Sequence, residues 1–339
     1  MRPLQIFAVV LLSLVVAVAG AGYWLTATFE PAPVNPAWAL PGGAATPPGA
    51  VTVRFTGTST LLFSDGETAW MTDGWFSRPG PLAVLSGAIA PDVDAIERGL
   101  ARNEVESLAA VFPVHSHFDH AMDAPEVARR TGALLLGSES TANIGRGWGL
   151  PEDQIQVVEN RVPIQLGQFT VTPIESRHFQ FPDPEVVARA LHDPDITEPL
   201  VPPVGTFEYK VGKAYTLHVD HPAGSWLIQG SAGFIEKNLE GLDVDVVFLG
   251  VGSLGTQTRE YADTYWRETV ERPNAGRVVL IHWDSLTGPA EGPFTGPVRG
   301  AALLSAREDR TRAYLEAKAA EQPERTFSTL PRYDAVTLF

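Results

Sequence analysis

Apolar residues recur every second position in several short stretches of this chain, and every third or fourth in others. "VTVRFTG" (51–57), "STLLFS" (59–64) and "ETAWMTDGW" (67–75) read as three strands joined by tight turns at Gly57 and "SDGE". In "DVDAIERGLARNEVESL" (92–108), Val93, Ile96, Leu100, Val105 and Leu108 fall at helical spacing. "AAVFPV" (109–114) predicts a strand that ends at His115. "DAPEVARRTG" (123–132) predicts a helix, with Pro125 in its first turn and Asp123 and Glu126 spaced close to a capping box. "ALLLG" (133–137) is a strand, and "SESTANIGRGWGL" (138–150) a short helix ended by glycine.

"QFTVTPIES" (168–176) alternates like a strand and runs into "RHF". The proline-rich segment 179–206 reads as an insertion, of the kind that forms functional loops or lids. "FEYKVGKAYTLHVD" and "SWLIQG" predict a hairpin around "HPAG", and "VDVVFLG" (243–249) a buried strand. A helix is expected over 258–273, a strand over 277–284 and a last helix over 305–321. Interleaved strands and helices favour a layered α/β domain.

The N-terminus departs from this pattern. One arginine precedes an uncharged apolar run from Ile6 to Leu25, which predicts a secretory signal or a membrane anchor over 1–26. A bilayer needs ~20 apolar residues, and Tyr23 and Trp24 would suit the interface. "AVA" at 17–19 and "AGA" at 19–21 resemble cleavage sites, so both outcomes stay open; an uncleaved anchor is favoured. Either one places the remainder outside the cytoplasmic membrane, periplasmic or extracellular. Residues 27–50, rich in Pro, Ala and Gly, read as an extended linker whose Trp38 docks on the domain, and the folded domain is expected over 51–339.

The chain has 339 residues, enough for a full core, and a net charge of -15. With its basic residues scattered, that charge disfavours a nucleic-acid partner. It has no cysteine, which excludes disulfides and thiolate ligands; any metal must be held by nitrogen and oxygen.

Three of the 8 histidines sit in "HSHFDH" (115–120). In extended chain, residues two apart point the same way, so His115, His117 and Asp119 converge, and a turn brings in His120. The alternative is a solvated polar turn. A metal site needs more than one loop. His178 ends the strand before "FQF", and His282 ends the strand "VVLIH". Each alone would be a structural histidine; beside "HSHFDH" each is a candidate ligand.

"HSHFDH", then "SRHF", then "IHWD" resemble the metallo-β-lactamase superfamily of metal-dependent hydrolases. "VTVRFTGTSTLLFS" and "AWMTDGWFSRP" resemble its opening strands and their aspartate. The resemblance runs from about Val51 to the last helix, and the "SRH" and "HW" surroundings resemble the branch of ascorbate-6-phosphate lactonases and N-acylphosphatidylethanolamine phospholipase D. It implies an α/β fold, a four-layer αββα sandwich. It also implies one zinc on His115, His117 and His178, and a second on Asp119, His120 and His282. A water or hydroxide between them would be the nucleophile, with Asp119 helping to orient it. Asp73 would orient a ligand histidine through its free N–H, unless it is a plain turn residue.

One position departs from that family. Where the bridging aspartate of a Gly-Asp-x-Gly turn is expected, "IQGSAGF" places Ser231. A hydroxyl is a far poorer ligand than a carboxylate. Either the second metal is weak or absent, or a water backed by Ser231 replaces the bridge, or catalysis is lost. "LHVDH" (His218, Asp220, His221) mimics part of a metal motif, but reads as a hairpin turn with surface histidines. The glycines of "LGVGSLG" lack any accompanying basic residue and read as a loop.

The expectation is a hydrolase using one or two Zn2+, or another divalent metal such as Mn2+. It would act on an ester, lactone or phosphodiester, of a small molecule or a lipid-like one. Phe179 and Phe181, in the insertion beside His178, are expected in the pocket wall. The alternative is a non-catalytic binding protein on a decayed scaffold.

Overall fold

The computed structural model describes residues 3–43, 46–47, 49–181, 184–192, 194–304 and 308–339. It opens with helix α1 (Pro3–Ala27), followed by strands β1 (Thr52–Gly57), β2 (Thr60–Ser64) and β3 (Ala69–Thr72). Next come α2 (Pro81–Ser86), β4 (Ala88–Ile89), α3 (Val93–Arg102), β5 (Ala110–Phe112), α4 (Phe118–Ala121), α5 (Ala124–Thr131), β6 (Leu134–Gly137), α6 (Glu139–Trp148) and β7 (Ile155–Val157). The second half carries β8 (Ile164–Leu166), β9 (Phe169–Ser176), α7 (Pro184–Ala190), β10 (Val204–Gly205), β11 (Ala214–His221) and β12 (Gly224–Gln229). It closes with β13 (Val246–Gly250), α8 (Arg259–Trp266), β14 (Arg277–Ile281), α9 (Arg299–Leu304), α10 (Glu308–Glu321), β15 (Thr326–Thr329) and β16 (Val336–Thr337). The predicted start of the last helix, residues 305–307, lies outside the described residues.

Two helix ends differ from the periodicity, for local reasons. Helix α3 stops at Arg102 rather than near 108: the Asn103 side chain donates to the Gly99 carbonyl at 2.9 Å, and Glu104 turns to φ +58°. The capping box at α5 does not form. Instead the Asp123 carboxylate accepts from the N–H groups of Phe76 and Ser77 and from the Ser77 hydroxyl, at 2.6–2.8 Å. Buried N–H groups of a loop left without other acceptors outbid a local cap.

Strands β16-β1-β2-β3-β5-β6-β7 form one sheet and β15-β14-β13-β12-β11-β9-β8 the other. Their inner faces share one apolar core. Phe63 packs on Trp226 and Phe248 at ring separations of 5.2 and 5.3 Å, and Phe112 on Tyr215 at 6.0 Å. Outside the first sheet, Ile96 and Leu100 of α3 and Val127 of α5 cover Met71, Val111 and Leu135. Outside the second, Trp266 stacks on Phe327 at 5.6 Å, near Leu315 of α10. This is the four-layer order of helix, sheet, sheet, helix.

Each sheet is part antiparallel and part parallel. β3, β5, β6 and β7 run parallel, as do β12, β13, β14 and β15. The carboxyl ends of β3, β5, β12 and β14 therefore gather along one edge of the sandwich. β9 is antiparallel to β11, itself antiparallel to β12, so its carboxyl end reaches the same edge. The Tyr215 N–H donates to the Val114 carbonyl there at 2.8 Å, linking the two sheets. Such strand-end edges are where open α/β sheets bind ligands.

The segment after α1 lies along the domain rather than free of it. The Asn35 side chain caps a short turn, Trp38 stacks on Phe327 at 5.1 Å, and the Leu40 N–H donates to the Thr329 carbonyl at 2.9 Å.

Candidate metal centre

Six side chains from three strand-end loops meet at this edge. His115 and His117 follow β5, Asp119 and His120 open the single turn of α4, His178 follows β9 and His282 follows β14. Two groups of three form, His115 with His117 and His178, and Asp119 with His120 and His282, with the ligand atoms of each within 4.8 Å of one another. The two groups adjoin: the rings of His115 and His120 are 3.9 Å apart.

The second group is close to an equilateral triangle. Asp119 Oδ2 lies 3.3 Å from His120 Nε2 and 3.3 Å from His282 Nε2, and the two nitrogens are 3.3 Å apart. Tetrahedral ligands at ~2.0–2.1 Å from a zinc ion stand ~3.3–3.4 Å from each other. In the first group His115 Nε2 faces His117 Nδ1 at 3.1 Å, and the rings of His117 and His178 are 4.7 Å apart. The donor set, five imidazoles and one carboxylate, fits a divalent metal of borderline softness.

Neighbouring groups fix which ring nitrogen is free. His120 Nδ1–H donates to Asp73 Oδ2 at 2.8 Å, while Asp73 Oδ1 accepts from the Val114 N–H at 2.9 Å. His178 Nδ1–H donates to the Phe179 carbonyl at 2.7 Å. In both rings Nε2 is left to face the cluster. His282 sits at φ +55°, its N–H donating to the Thr58 carbonyl at 2.5 Å. Thr58 is held in turn by the buried Asp284, whose Oδ1 accepts its N–H at 2.6 Å and whose Oδ2 pairs with Arg78 Nη1 at 3.0 Å.

Electrostatics among these protein groups prepare some of the ligands and oppose one. Burial, together with the neighbouring imidazoles, holds His115 and His178 well below the usual histidine range, so both are neutral at pH 7. For Asp119 burial acts upward but is outweighed by His120 and His282, which hold its carboxyl well below the usual range. For His120 burial acts downward and is outweighed by Asp119 and Asp73, which push it up to about 10. A cation at His120 Nε2 must therefore displace a proton.

Ser231 lies in the loop after β12, and its Oγ accepts from the Phe179 N–H at 3.3 Å. Gly230 leaves no room for a Cβ against Val114, and Gly233 none against the Arg177 carbonyl, so this loop is packed between the two histidine-bearing loops. Among the described residues, Asp119 is the one carboxylate in the two groups. Asp220 is not part of them: His218 and Asp220 are 3.5 Å apart on β11, and the largely buried His221 ring faces Asp65 at 3.5 Å. The surface position expected for His221 is thus not observed; its ring packs on Phe169 at 4.8 Å.

A cleft of ≈ 650 Å³ opens beside His178, lined by Arg177, Gln180, Phe234, Gln257 and Tyr261 among others. Phe179 and Phe181 do not line it. Phe179 is buried in the core with its ring 4.4 Å from that of His178, and Phe181 packs against Phe179 at 4.8 Å. Phe179 is buried and Phe181 half-buried against that core, and Phe234 and Tyr261 provide the aromatic surface of the cleft instead. Those two, and the Arg78–Asp284 pair, carry no signal in the sequence beyond Asp284 standing two residues after His282.

No family model matches the chain. Over 50 residues it is 40% identical to a curated UPF0173 metal-dependent hydrolase of Chloroflexus aurantiacus, a match spanning 15% of this chain and 21% of that relative's length. Among solved structures it is similar to Igni18, a novel metallo hydrolase of Ignicoccus hospitalis, with a TM-score of 0.50 at 14% identity, covering 86% of this chain and 99% of that one. It is also similar to a possible metal-dependent hydrolase of Veillonella parvula, with a TM-score of 0.50 at 13% identity, covering 85% and 99%. At such identities the likeness is one of fold: a mixed α/β architecture with two large sheets, consistent with the metallo-β-lactamase fold.

Proposed function

We propose that the protein is a metal-dependent hydrolase acting on an ester, lactone or phosphodiester bond. The observation that carries this reading is the 3.3 Å triangle of Asp119, His120 and His282 beside the three converging imidazoles of the first group. His115, His117 and His178 would hold one divalent ion, and Asp119, His120 and His282 a second. Such an ion supplies Lewis acidity and lowers the pKa of a bound water toward neutrality. The chain's own groups do the rest. The ionised Asp119 can accept a hydrogen bond from the attacking water and so orient it. Asp73 fixes the tautomer and ring angle of His120. The cleft offers Phe234 and Tyr261 to an apolar substrate portion and the Arg177 guanidinium to an anionic one, and its volume falls in the range of ~300–1,000 Å³ typical of ligand sites.

The resemblance of "SRHF" and "IHW" to the lactonase and phospholipase branch supports this substrate range. The apolar run of α1, Gln5–Ala27, is long enough to cross a membrane, and we read it as an anchor that holds the domain outside the cytoplasmic membrane. The anchor makes a lipid-like substrate a natural choice. The replacement at Ser231 favours one alternative, a binding protein without catalysis. A panel of esters, lactones and phosphodiesters separates the two. The metal-loaded protein should hydrolyse at least one class, and chelation or His117→Ala should abolish that activity. Metal-loaded protein inert toward all three classes would favour the binding protein.

A further inference from the structure

The metal centre makes no use of one exposed feature. Among the described residues outside α1, five large apolar side chains are exposed, and three of them belong to one region: Leu82 at 64%, Leu85 at 76% and Val201 at 65%. Leu82 and Leu85 stand three residues apart on α2 and so share a face. The opposite side of α2 is firmly seated, with Ala83 and Val84 packing against a cluster of Trp75, Phe118, Ile196 and Tyr209. The Thr206 hydroxyl donates to the Val84 carbonyl at 2.7 Å, and β4, directly after α2, pairs with β10. Leu200 packs in the same cluster, and Val201 follows it. These side chains are held outward on a braced element.

Exposed leucines alone name no partner, but α1 does. It lies beside both α2 and α9. Its foot is fixed to the domain: the Arg299 N–H donates to the Thr28 carbonyl and the Glu30 N–H to the Pro297 carbonyl, both at 2.9 Å. Arg299 also pairs with Glu30 at 3.0 Å and lies over the Trp24 ring at 5.2 Å. Tryptophan and tyrosine favour the membrane interface, so Tyr23 and Trp24 mark the level at which α1 leaves the bilayer. A spanning helix clamped at that level sets the depth of the surface next to it.

We propose that Leu82 and Leu85, with Val201, rest in the interfacial layer of the bilayer that α1 crosses. The proposal rests on the anchor reading above and names the occupant of this face as lipid. It also deepens the substrate reading. The buried side of α2 packs on the same cluster as Phe118, which stands between His117 and Asp119 in the chain, so this face and the candidate ligand loop share one apolar cluster. A substrate that partitions into the leaflet is the class such a placement serves.

The absence of cysteine makes the test direct, because any introduced cysteine is the only thiol. The full-length chain is reconstituted into vesicles of phosphatidylcholine and phosphatidylglycerol, carrying an environment-sensitive fluorophore on Leu85→Cys, Val201→Cys, Val15→Cys or Val162→Cys. Val162 is also exposed, at 46%, but belongs to the loop before β8. Metal content equal to that of the unlabelled chain shows that each variant is folded. The labels at 85 and 201 should emit further to the blue than the label at 162. They should resist aqueous iodide and be quenched by a lipid with a nitroxide near its headgroup. Iodide quenching equal to that at 162 overturns the proposal. So does protection from both quenchers, which would assign the face to a second copy of the chain. A label at 15 that iodide reaches, or that is lost by cleavage, removes the anchor reading and this proposal together, leaving the hydrolase reading untouched.

Discussion

Asp73 and His120 are joined by a 2.8 Å contact between Oδ2 and Nδ1, with Asp73 held at φ +58° and its second oxygen occupied by the Val114 N–H. An asparagine tolerates that backbone and can keep the Val114 bond through its oxygen. Its amide would then point N–H at His120 Nδ1 and force the ring proton to Nε2, the atom that faces Asp119 and His282. Asp73→Asn should lower metal affinity about 10–100-fold with little loss of fold. Chelator competition measures this; unchanged affinity would remove Asp73 from the site.

Ser231 sits where a carboxylate would add charge to a cluster that has only Asp119 among its candidate ligands. Two dications close together repel each other, and a single carboxylate offsets little of that. Ser231→Asp should raise bound metal from about one toward two equivalents per chain. Equal stoichiometry in both proteins would mean that the carboxylate is not what limits the second position.

The Arg78–Asp284 pair is almost fully buried, with side-chain exposures of 4% and 1%, and holds the Thr58 turn that accepts the His282 N–H. Removing one partner leaves the other charge buried and unpaired. Asp284→Ala should cost about 3–5 kcal/mol in urea unfolding and weaken binding at the His282 side of the cluster. A loss below about 1 kcal/mol, the level of an exposed pair, would contradict this.

Much of this was legible in the chain. The period-two and helical patterns place β1 to β3, β5, α5, α6 and the strands before His178 and His282, because each buries one continuous apolar face. "HSHFDH" after "AAVFPV" is legible because its spacing and its place after a strand act together. The use of Asp123 was not: a capping box and a long-range brace have the same local sequence, and only the position of Phe76 and Ser77 in space decides between them. The Arg78–Asp284 pair spans 206 residues and leaves no local pattern. Phe179 and Phe181 look like pocket residues from their place next to His178, but packing draws both rings toward the core.

Asp123 also gives a pH prediction. Burial pushes its carboxyl from 3.8 up to about 6, against the opposing pull of the Ser77 hydroxyl and the N–H groups of Phe76 and Ser77. Between those values the folded protein holds a proton that the unfolded chain has released, so stability falls as pH rises through this window. The group costs nothing below pH ~4, and on the order of 2–3 kcal/mol above pH ~6. Asp123→Asn has no charge to bury, so denaturation midpoints measured from pH 4 to 7 should fall less steeply than in the wild type. Parallel curves would show that Asp123 does not titrate in this range.

The central claim is that histidines far apart in the chain meet around a common cation. Metal analysis by mass spectrometry, on full-length protein purified without chelator from medium supplied with zinc and manganese, tests it most directly. The wild type should retain at least about one equivalent of a divalent metal, and a protein carrying both His117→Ala and His178→Ala should retain almost none. A wild-type protein that emerges folded and metal-free, and takes up no metal on dialysis against either ion, would contradict the account.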